Sequence, residues 1–340
     1  MPSFTSSSRL RRATWLLLAG CIAVVFGVEA VARLGFDRAS KIQRRMADEY
    51  RMARTIGSGP PAGRTHVLFV GNSLLDEDVR FDRLQDAVAP QWDARRFVVE
   101  QTFYYDWYYG LKRLFAEGAR PDIVVLMLST RQWVRTAMRG DYSAYYLLST
   151  RDLADAARDL NLSATQASSL AFANVSKFWA ARAEMRNFVI GHLMPDLGRL
   201  MGFSSVADVT PIEDDAVALS VSERLARLNA LVSSRGARLV IVLPAIANIQ
   251  DGSAGFMRAA RELNVTAVQP VASGTYGLHL YRDAGFHLNP EGAASFTEQL
   301  IPALRRIADS RPGPASESEA GLRTDLQLDQ EHILAERALR

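Results

Sequence analysis

Cysteine is almost absent from this chain of 340 residues, which contains only Cys21. A single cysteine excludes an internal disulfide and a zinc site built on cysteines. Histidine is also scarce, and His66, His192, His279 and His332 lack the spacing of a metal site. The sequence therefore predicts no metal ion.

The signatures of nucleotide and nucleic-acid binding are missing as well. No Walker loop and no dinucleotide glycine pattern occurs, so we expect no nucleotide cofactor. The formal net charge of +3 is small, and no basic stripe with interleaved aromatic residues is present. Nucleic acid is therefore excluded as an expected partner. The length fits one large domain or two small ones.

One long apolar run stands near the amino terminus. Residues 1–12 form a polar tail with a basic end, and the uncharged segment Ala13–Val28 follows. This segment is slightly shorter than the ~20 residues that cross a bilayer, but Ala30–Ala32 extend it. We predict a single transmembrane signal anchor over residues 13–36, with a cleaved signal peptide as the alternative. A lipoprotein-like box ends at Cys21, but the apolar run continues past it, which argues against cleavage there.

The orientation of this helix does not follow from charge alone, because basic residues flank both of its ends. A short amino-terminal tail before a long folded domain favours an extracytoplasmic domain, periplasmic in a bacterium. Residues 37–63 are expected to form a stalk and a Gly/Pro-rich linker, so the folded domain would begin near Arg64. Residues 310–340 are polar and predict a flexible tail, in which 325–339 can form a small amphipathic helix.

Five apolar segments alternate with helical patterns. The predicted strands are Val67–Val70, Arg96–Glu100, Asp122–Leu128, Arg238–Leu243 and Val265–Val271. The predicted helices are Phe81–Val88, Trp107–Glu117, Ser222–Ser234, Gly255–Leu263 and Pro290–Ala308. This alternation predicts one α/β domain over residues 64–309, with a parallel five-stranded sheet between two layers of helices.

The third and fourth strands are too far apart for a single crossover. Residues 130–215 are therefore predicted to form a helical cap inserted beside the site, with helices near Arg151–Leu160 and Ser176–Ile190.

The first strand runs directly into Gly71-Asn72-Ser73-Leu74. Gly71 and Asn72 tolerate the backbone of a sharp turn, and Ser73 would stand at the carboxyl end of a central strand. Open α/β sheets bind their ligands at this edge. Ser73 is therefore a candidate nucleophile, and the alternative is an ordinary helix cap.

A second stretch supplies the other groups that a nucleophilic serine needs. Asp283 and His287 lie on one predicted loop before the last helix, and a serine needs a base that a carboxylate orients. The two stretches together resemble the SGNH/GDSL hydrolase superfamily, as a divergent, membrane-anchored bacterial-type member. Gly71-Asn72-Ser73-Leu74 resembles its Gly-Asp-Ser-Leu block, and the six residues from His287 to Gly292 resemble its late His block. Asp283 lies four residues before His287, where the family usually has three.

The resemblance implies a flavodoxin-like sheet and a serine esterase, but it does not identify the residues of the oxyanion hole. The family uses a Gly after the second strand and an Asn after the third, and this chain has neither in place. Gly110 falls inside a predicted helix. The remaining candidates for oxyanion or substrate contacts are Asn72, Ser129, Arg131 and Gln132.

An aromatic cluster, residues 103–109, follows the second strand. Its side chains can stack on a sugar or line an acyl pocket, or they can simply pack the cap onto the core. Tyr142, Tyr145 and Tyr146 allow the same two interpretations. Asp106 within the cluster is interpreted as a solvated helix cap rather than a buried partner, and His279 could line the cleft near His287.

Two functions follow from these residues. The first is a membrane-anchored serine esterase or O-acyltransferase that acts on acylated carbohydrate or lipid of the cell envelope. Ser73 would attack the ester, His287 would take its proton, and Asp283 or a backbone carbonyl would orient His287. The second is an inactive relative that binds a glycan or a protein partner in the same cleft.

Overall fold

The structure is a computed structural model that describes residues 6–36, 38, 40–59, 63–193 and 210–309. The chain divides into two compact units, Met1–Gln299 and Leu300–Arg340. The predicted tail 310–340 and His332 lie outside the described residues. The five strands are β1 (Thr65–Gly71), β2 (Trp92–Val98), β3 (Ile123–Met127), β4 (Arg238–Val242) and β5 (Thr266–Val268).

All strands are parallel, in the order β2-β1-β3-β4-β5. This order is the doubly wound, flavodoxin-like one. β1, β3 and β4 are buried almost throughout because helices cover both faces of the sheet. The predicted α/β class and the five-stranded parallel sheet are confirmed.

The helices precede, connect and follow these strands. They are α1 (Ser6–Val31, continued by a π-helical turn over Ala32–Phe36), α2 (Lys41–Arg54), α3 (Ser73–Glu77), α4 (Phe81–Val88), α5 (Tyr104–Ala116), α6 (Thr130–Val134), α7 (Tyr142–Leu147), α8 (Leu153–Asp159), α9 (Ala164–Val175), α10 (Lys177–Leu193), α11 (Asp214–Ser233), α12 (Ser253–Glu262) and α13 (Pro290–Asp309). Short 3-10 turns cover Thr150–Asp152 and Leu278–Leu280.

One helix near the amino terminus is long and apolar enough to cross a membrane. It spans Arg11–Gly35, and almost none of it is buried in the protein. At about 1.5 Å per residue its 25 residues span about 37 Å, enough for a bilayer core of about 30 Å.

α2 differs from the predicted stalk, because it packs onto the domain. Its Met46 and Ala53, with Ile56 just beyond it, are fully buried in the main hydrophobic cluster. The Glu49 carboxylate accepts hydrogen bonds from the Val98 N–H at 2.9 Å and from Arg96 Nε at 2.8 Å. The predicted domain boundary at Arg64 is therefore wrong. The sequence pattern did not show that α2 packs against the edge strand β2, because many of its side chains are charged.

The segment between β3 and β4 contains α6 to α11, with residues 194–209 outside the description. α7 packs against α5, α9 and α10. Its buried residues include Tyr142, Ala144 and Leu147, which belong to the same cluster as the sheet core. In the described part, the insertion is thus joined to the α/β core.

Candidate active site

Ser73 stands where β1 passes into α3. Asn72 caps α3, since its Oδ1 accepts the Leu74 N–H at 3.1 Å. Its Nδ2 donates to the Thr102 carbonyl at 2.9 Å, which ties the turn to the segment after β2. Asn72 is fully buried and its amide is bonded at both ends, so it shapes the turn and is not a substrate contact.

The imidazole of His287 lies directly beside the Ser73 hydroxyl. Ser73 Oγ and His287 Nε2 are 2.9 Å apart, within hydrogen-bond distance. The other ring nitrogen, Nδ1, lies 2.6 Å from Asp283 Oδ2. Two residues separated by more than 200 positions thus meet with a carboxylate in a continuous hydrogen-bonded chain.

The extra residue between Asp283 and His287 is absorbed by a tight loop. Gly285 has a φ of 95°, a left-handed backbone that favours glycine. A side chain here would also collide with Ala247, whose Cβ would lie 2.4 Å from an added Cβ. Asp283 Oδ1 accepts the N–H groups of Phe286 and His287 at 2.8 and 2.9 Å, which closes the loop.

The same hydrogen bonds set the charge of Asp283. Burial raises the pKa of its carboxyl, but the hydrogen bonds from the His287 N–H, the His287 ring and the Phe286 N–H lower it more. The net effect is a pKa below the ordinary value. Asp283 is therefore held as a carboxylate, the form that accepts the Nδ1–H of the imidazole.

A buried carboxyl group, which the sequence patterns did not indicate, binds the backbone of the residue that follows His287. Asp78, at the end of α3, is fully buried, and its Oδ1 accepts the Leu288 N–H at 2.8 Å. Burial raises the pKa of Asp78 well above its ordinary value. Asp78 thus links α3, which begins with Ser73, to the residue that follows His287. Its sequence context, within LLDED, gave no sign of this contact.

A cavity of about 870 Å³ lies next to the loop that carries His287, although neither Ser73 nor His287 lines it. The three residues before the histidine, Ala284, Gly285 and Phe286, line one side of it. Its other lining residues come from the start of α5, from α6, from the segments before α11 and after β4, and from the 3-10 turn at Leu278–Leu280. Apolar and polar side chains are about equally common among them, and three are charged; they are Phe103, Ser129, Thr130, Arg131, Gln132, Val134, Arg135, Ile212, Ile246, Ala247, Asn248, Asp251 and Leu278.

Three of the predicted oxyanion or substrate residues therefore border this cavity: Ser129, Arg131 and Gln132. Gln132 Oε1 accepts the Ser129 N–H at 2.9 Å, so that backbone donor is already used. The Ser129 hydroxyl is buried and has no hydrogen-bond partner within the described part of the chain. Because Gly71 and Met127 are in register, Ser73 and Ser129 both stand two residues beyond a paired position of β1 and β3.

Gly110 is placed differently from its prediction. It lies inside α5, seven residues from Phe103, or about 10 Å along the helix axis. A Cβ at this position would lie 2.8 Å from Leu147 Cδ2, so Gly110 allows α5 and α7 to pack closely. Gly110 is therefore a packing residue, and its position does not support the prediction that it is an oxyanion donor.

The aromatic cluster is mostly core. Tyr104, Trp107 and Tyr109 are fully buried, and Tyr104 and Trp133 pack with ring centroids 5.3 Å apart. Of the residues 103–109, only Phe103 borders the cavity. Tyr142 and Tyr146 are buried as well, and Tyr145 packs against the same core. Packing is the better of the two interpretations for all of these residues except Phe103.

The prediction that Asp106 is a solvated helix cap is wrong, because its side chain is fully buried. Its Oδ2 accepts the N–H of Phe103 at 2.9 Å and of Arg139 at 3.2 Å. Burial raises the pKa of Asp106 to about 6. The residue caps α5 and at the same time ties it to the segment before α7.

His66 and His279 are not part of this arrangement. His66 Nδ1 is 3.2 Å from Asp93 Oδ2 at the beginning of β1, the opposite edge of the sheet. His279 stands in the 3-10 turn before Asp283 and does not border the large cavity. Among the described residues, no group of His, Cys, Asp or Glu side chains is arranged to hold a metal ion.

The sheet order and the position of Ser73 and His287 at its carboxyl edge decide the fold. It is a doubly wound, flavodoxin-like α/β fold, as the motif resemblance implied. No protein-family model matches the chain, and no curated protein matches it.

Several solved structures are similar to this SGNH-like chain at low identity. A protein named TesA is 12% identical, with 71% of this chain and 99% of that chain covered and a TM-score of 0.37. A GDSL-like lipase from Bacteroides thetaiotaomicron is 12% identical, covers 79% and 97%, and has a TM-score of 0.38. A catalytic mutant of an acetylxylan esterase from Geobacillus stearothermophilus is 12% identical, covers 72% and 95%, and has a TM-score of 0.36.

Proposed function

We propose that this protein is a membrane-anchored serine ester hydrolase or O-acyltransferase with Ser73, His287 and Asp283 as its catalytic residues. The observation that carries the proposal is the hydrogen-bonded chain from Ser73 Oγ to His287 Nε2 at 2.9 Å and from His287 Nδ1 to Asp283 Oδ2 at 2.6 Å. This is the geometry by which a base activates a hydroxyl and a carboxylate fixes the tautomer of the base.

The reaction proceeds in two acyl transfers. Ser73 Oγ attacks the ester carbonyl and gives its proton to His287 Nε2, and the resulting imidazolium protonates the departing alcohol. The acyl group then stays on Ser73. Water or a sugar hydroxyl next gives its proton to His287 and takes the acyl group. The imidazolium returns this proton to Ser73 Oγ as the acyl bond breaks, which restores the serine and yields an acid or a new ester. Asp283 accepts the Nδ1–H throughout and stabilises the imidazolium.

The negative oxygen of the tetrahedral intermediate needs hydrogen-bond donors. The N–H of Ser73 has no partner among the described residues and serves as the first donor. We assign the second to the Ser129 hydroxyl, which is buried at the end of the neighbouring strand without a partner in the described chain. This hydroxyl stands in for the Asn and Gly of the family pattern.

The substrate class follows from the cavity and the anchor. The cavity next to the Ala284–Phe286 segment combines apolar side chains with the charged Arg131, Arg135 and Asp251, which suits an ester with an acyl part and a polar part. The helix at Arg11–Gly35 would hold this site next to a bilayer. We therefore propose an acylated carbohydrate or lipid of the cell envelope as substrate, with the domain on the extracytoplasmic side.

A second candidate function is an inactive binding protein that uses the same cleft. It is favoured by one observation, namely that neither Asn72 nor Gly110 provides an oxyanion donor. The two functions differ in whether Ser73 forms a covalent acyl-enzyme.

Covalent labelling with a fluorophosphonate probe separates them. The full-length protein in detergent is expected to be labelled, and both Ser73→Ala and His287→Ala are expected to lose nearly all labelling. Ser58→Ala removes an exposed serine and should be labelled like the wild type. An unlabelled but folded wild-type protein across the pH range would instead support the binding protein. Release of acetate from p-nitrophenyl acetate, with and without an added sugar, then distinguishes hydrolysis from transfer.

A further inference from the structure

Four large apolar side chains lie exposed at one corner of the inserted segment. Phe172 and Val175 end α9 and are 58% and 52% exposed, and Phe178 and Trp179 begin α10 and are 39% and 37% exposed. The rings of Phe172 and Trp179 are in contact, with centroids 5.7 Å apart. We call these four residues the apolar corner. Contiguous apolar surface of this kind on a folded domain marks a place where something docks.

The end of the membrane helix is bonded to this same corner. Glu29 accepts hydrogen bonds from Ser176 Oγ at 2.7 Å, from the Lys177 N–H at 2.9 Å and from the Phe178 N–H at 3.1 Å. Arg33 donates to the Val175 carbonyl at 2.8 Å. The Glu29 carboxylate therefore caps α10, and the apolar corner is attached directly to the helix that leaves the bilayer.

These hydrogen bonds fix the position of the apolar corner relative to the membrane. The uncharged stretch Ala13–Val28 precedes Glu29, and its 16 residues at about 1.5 Å each span about 24 Å, somewhat less than a bilayer core of about 30 Å. Glu29, which is bonded to the folded domain, then stands where the hydrocarbon ends. Phe178, whose N–H it binds, lies in the interfacial layer of the membrane.

The groups around the corner match lipid headgroups. The Arg182 guanidinium stacks on Trp179, 4.6 Å from the ring centroid. A second cavity, of about 570 Å³, is bordered by Val175 and by four cationic side chains, those of Arg33, Arg51, Arg113 and Lys177. Aromatic rings with adjacent basic residues are the side chains that proteins place at the level of phospholipid headgroups.

We propose that the apolar corner is a membrane-docking surface whose occupant is the phospholipid bilayer. The side chains enter the interfacial layer beside the anchor helix, and the exposed guanidinium groups of Arg33 and Arg51 face headgroup phosphates. The inserted segment is thereby held at the membrane by two attachments, the helix and the corner. The proposal rests on the membrane anchor of the proposed function and is independent of its catalytic part.

Depth-dependent quenching tests this surface in the full-length protein. Cys21 is the only native cysteine, so Val175→Cys in a Cys21→Ser background can carry a single polarity-sensitive fluorophore. Leu219→Cys is the matched control, because Leu219 is the most exposed large apolar residue, at 83%, and lies on α11. Both proteins are reconstituted into phosphatidylcholine–phosphatidylglycerol vesicles with quenchers on the lipid chains. Phe178→Cys repeats the measurement should the first variant fold poorly.

The label at Val175 is expected to be quenched several-fold more by the lipid quenchers than the label at Leu219, and to be shielded from iodide in the water. Equal lipid quenching at the two positions overturns the proposal. In that case iodide access at Val175 would mean an open surface, and protection would mean cover by protein. A wild-type chain that leaves the vesicles in alkaline carbonate would refute the anchor itself, while labelling of Ser73 by the fluorophosphonate would still report on catalysis.

Discussion

Asp283 uses its two carboxylate oxygens for two different tasks. Oδ1 holds the loop through the N–H groups of Phe286 and His287, and Oδ2 faces His287 Nδ1 at 2.6 Å. The loop needs an acceptor at this position, whereas the catalytic proposal needs a negative charge. Substitutions that keep one property and remove the other therefore separate structure from chemistry.

Asp283→Asn keeps an acceptor for the loop but turns an amide toward the imidazole, which favours the wrong tautomer. We expect kcat for ester hydrolysis to fall by about 10²–10⁴-fold with little change in KM or melting temperature. Asp283→Ala, which also loses the loop acceptor, should lower both kcat and the melting temperature. A value of kcat close to wild type for Asp283→Asn would reduce the site to a Ser73–His287 dyad, with Asp283 acting only in the loop.

The sequence predicted this constellation only in part, for reasons visible in single residues. Residue type identified Ser73, His287 and Asp283, because few other combinations supply a nucleophile, a base and a carboxylate. The roles of Asp78 and of the Ser129 hydroxyl were harder to predict, because their burial and their distance from the site depend on tertiary packing. Gly110 was misassigned because a glycine that lets two helices approach looks the same in sequence as one that donates an N–H.

At the scale of elements, α5 is connected to the segment before α7 through Asp106. This fully buried carboxyl binds the N–H groups of Phe103, at the start of α5, and of Arg139. Burial raises its pKa to about 6, from an ordinary value of 3.8. Between these two values the folded chain holds a proton that the unfolded chain has released. The contribution of Asp106 to stability therefore falls as pH rises through this window.

Asp106→Asn removes the titration and retains one side-chain oxygen as acceptor. We expect the variant to be less stable than wild type at pH 4, and the difference to shrink or reverse by pH 7. The change in the relative free energy of unfolding should be on the order of 2–3 kcal/mol. Urea unfolding from pH 4 to pH 7 measures it, with Asp82→Asn on the exposed face of α4 as the control. A difference that stays constant with pH contradicts the assignment.

Elements with continuous apolar runs were predictable, and elements with mixed patterns were not. The continuous apolar runs of β3 and β4 predicted buried strands, and helices do cover both faces of these strands. β2 begins at Trp92, four residues before its prediction, since Asp93 and Arg95 on this edge strand break the apolar pattern. α3 and α6, five residues each, are too short to show a helical period.

At the scale of the whole molecule, the junction between the apolar amino-terminal helix and the domain differs most from expectation. The segment predicted as a stalk packs onto the domain, because α2 is part of the folded unit. Its charged residues form ion pairs across β2, such as Glu49 with Arg96 at 2.8 Å. A segment rich in arginine therefore forms an amphipathic helix, with one polar face and one buried face.

This difference sets the smallest part of the chain that folds. A protein that begins at Ser40 keeps the cap of α2, whose Oγ accepts the Gln43 N–H at 3.2 Å. A protein that begins at Arg64 lacks the whole helix, and with it the buried side chains of Met46 and Ile56 and the Glu49 acceptor for the Val98 N–H. Removal of such side chains uncovers the apolar face of β2 and α5 and leaves a buried backbone donor unpaired.

We expect the protein that begins at Ser40 to be soluble, monodisperse and cooperatively unfolded by urea. The protein that begins at Arg64 should be less stable by several kcal/mol, since a buried methionine or isoleucine alone is worth about 2–5 kcal/mol, and should aggregate. Met46→Ala in the longer protein tests the packing without truncation and should lower the urea midpoint, whereas Met52→Ala, on an exposed part of the same helix, should leave it nearly unchanged. Equal stability of the two truncated proteins would show that α2 acts as a stalk after all, and that the domain is complete from Arg64 onward.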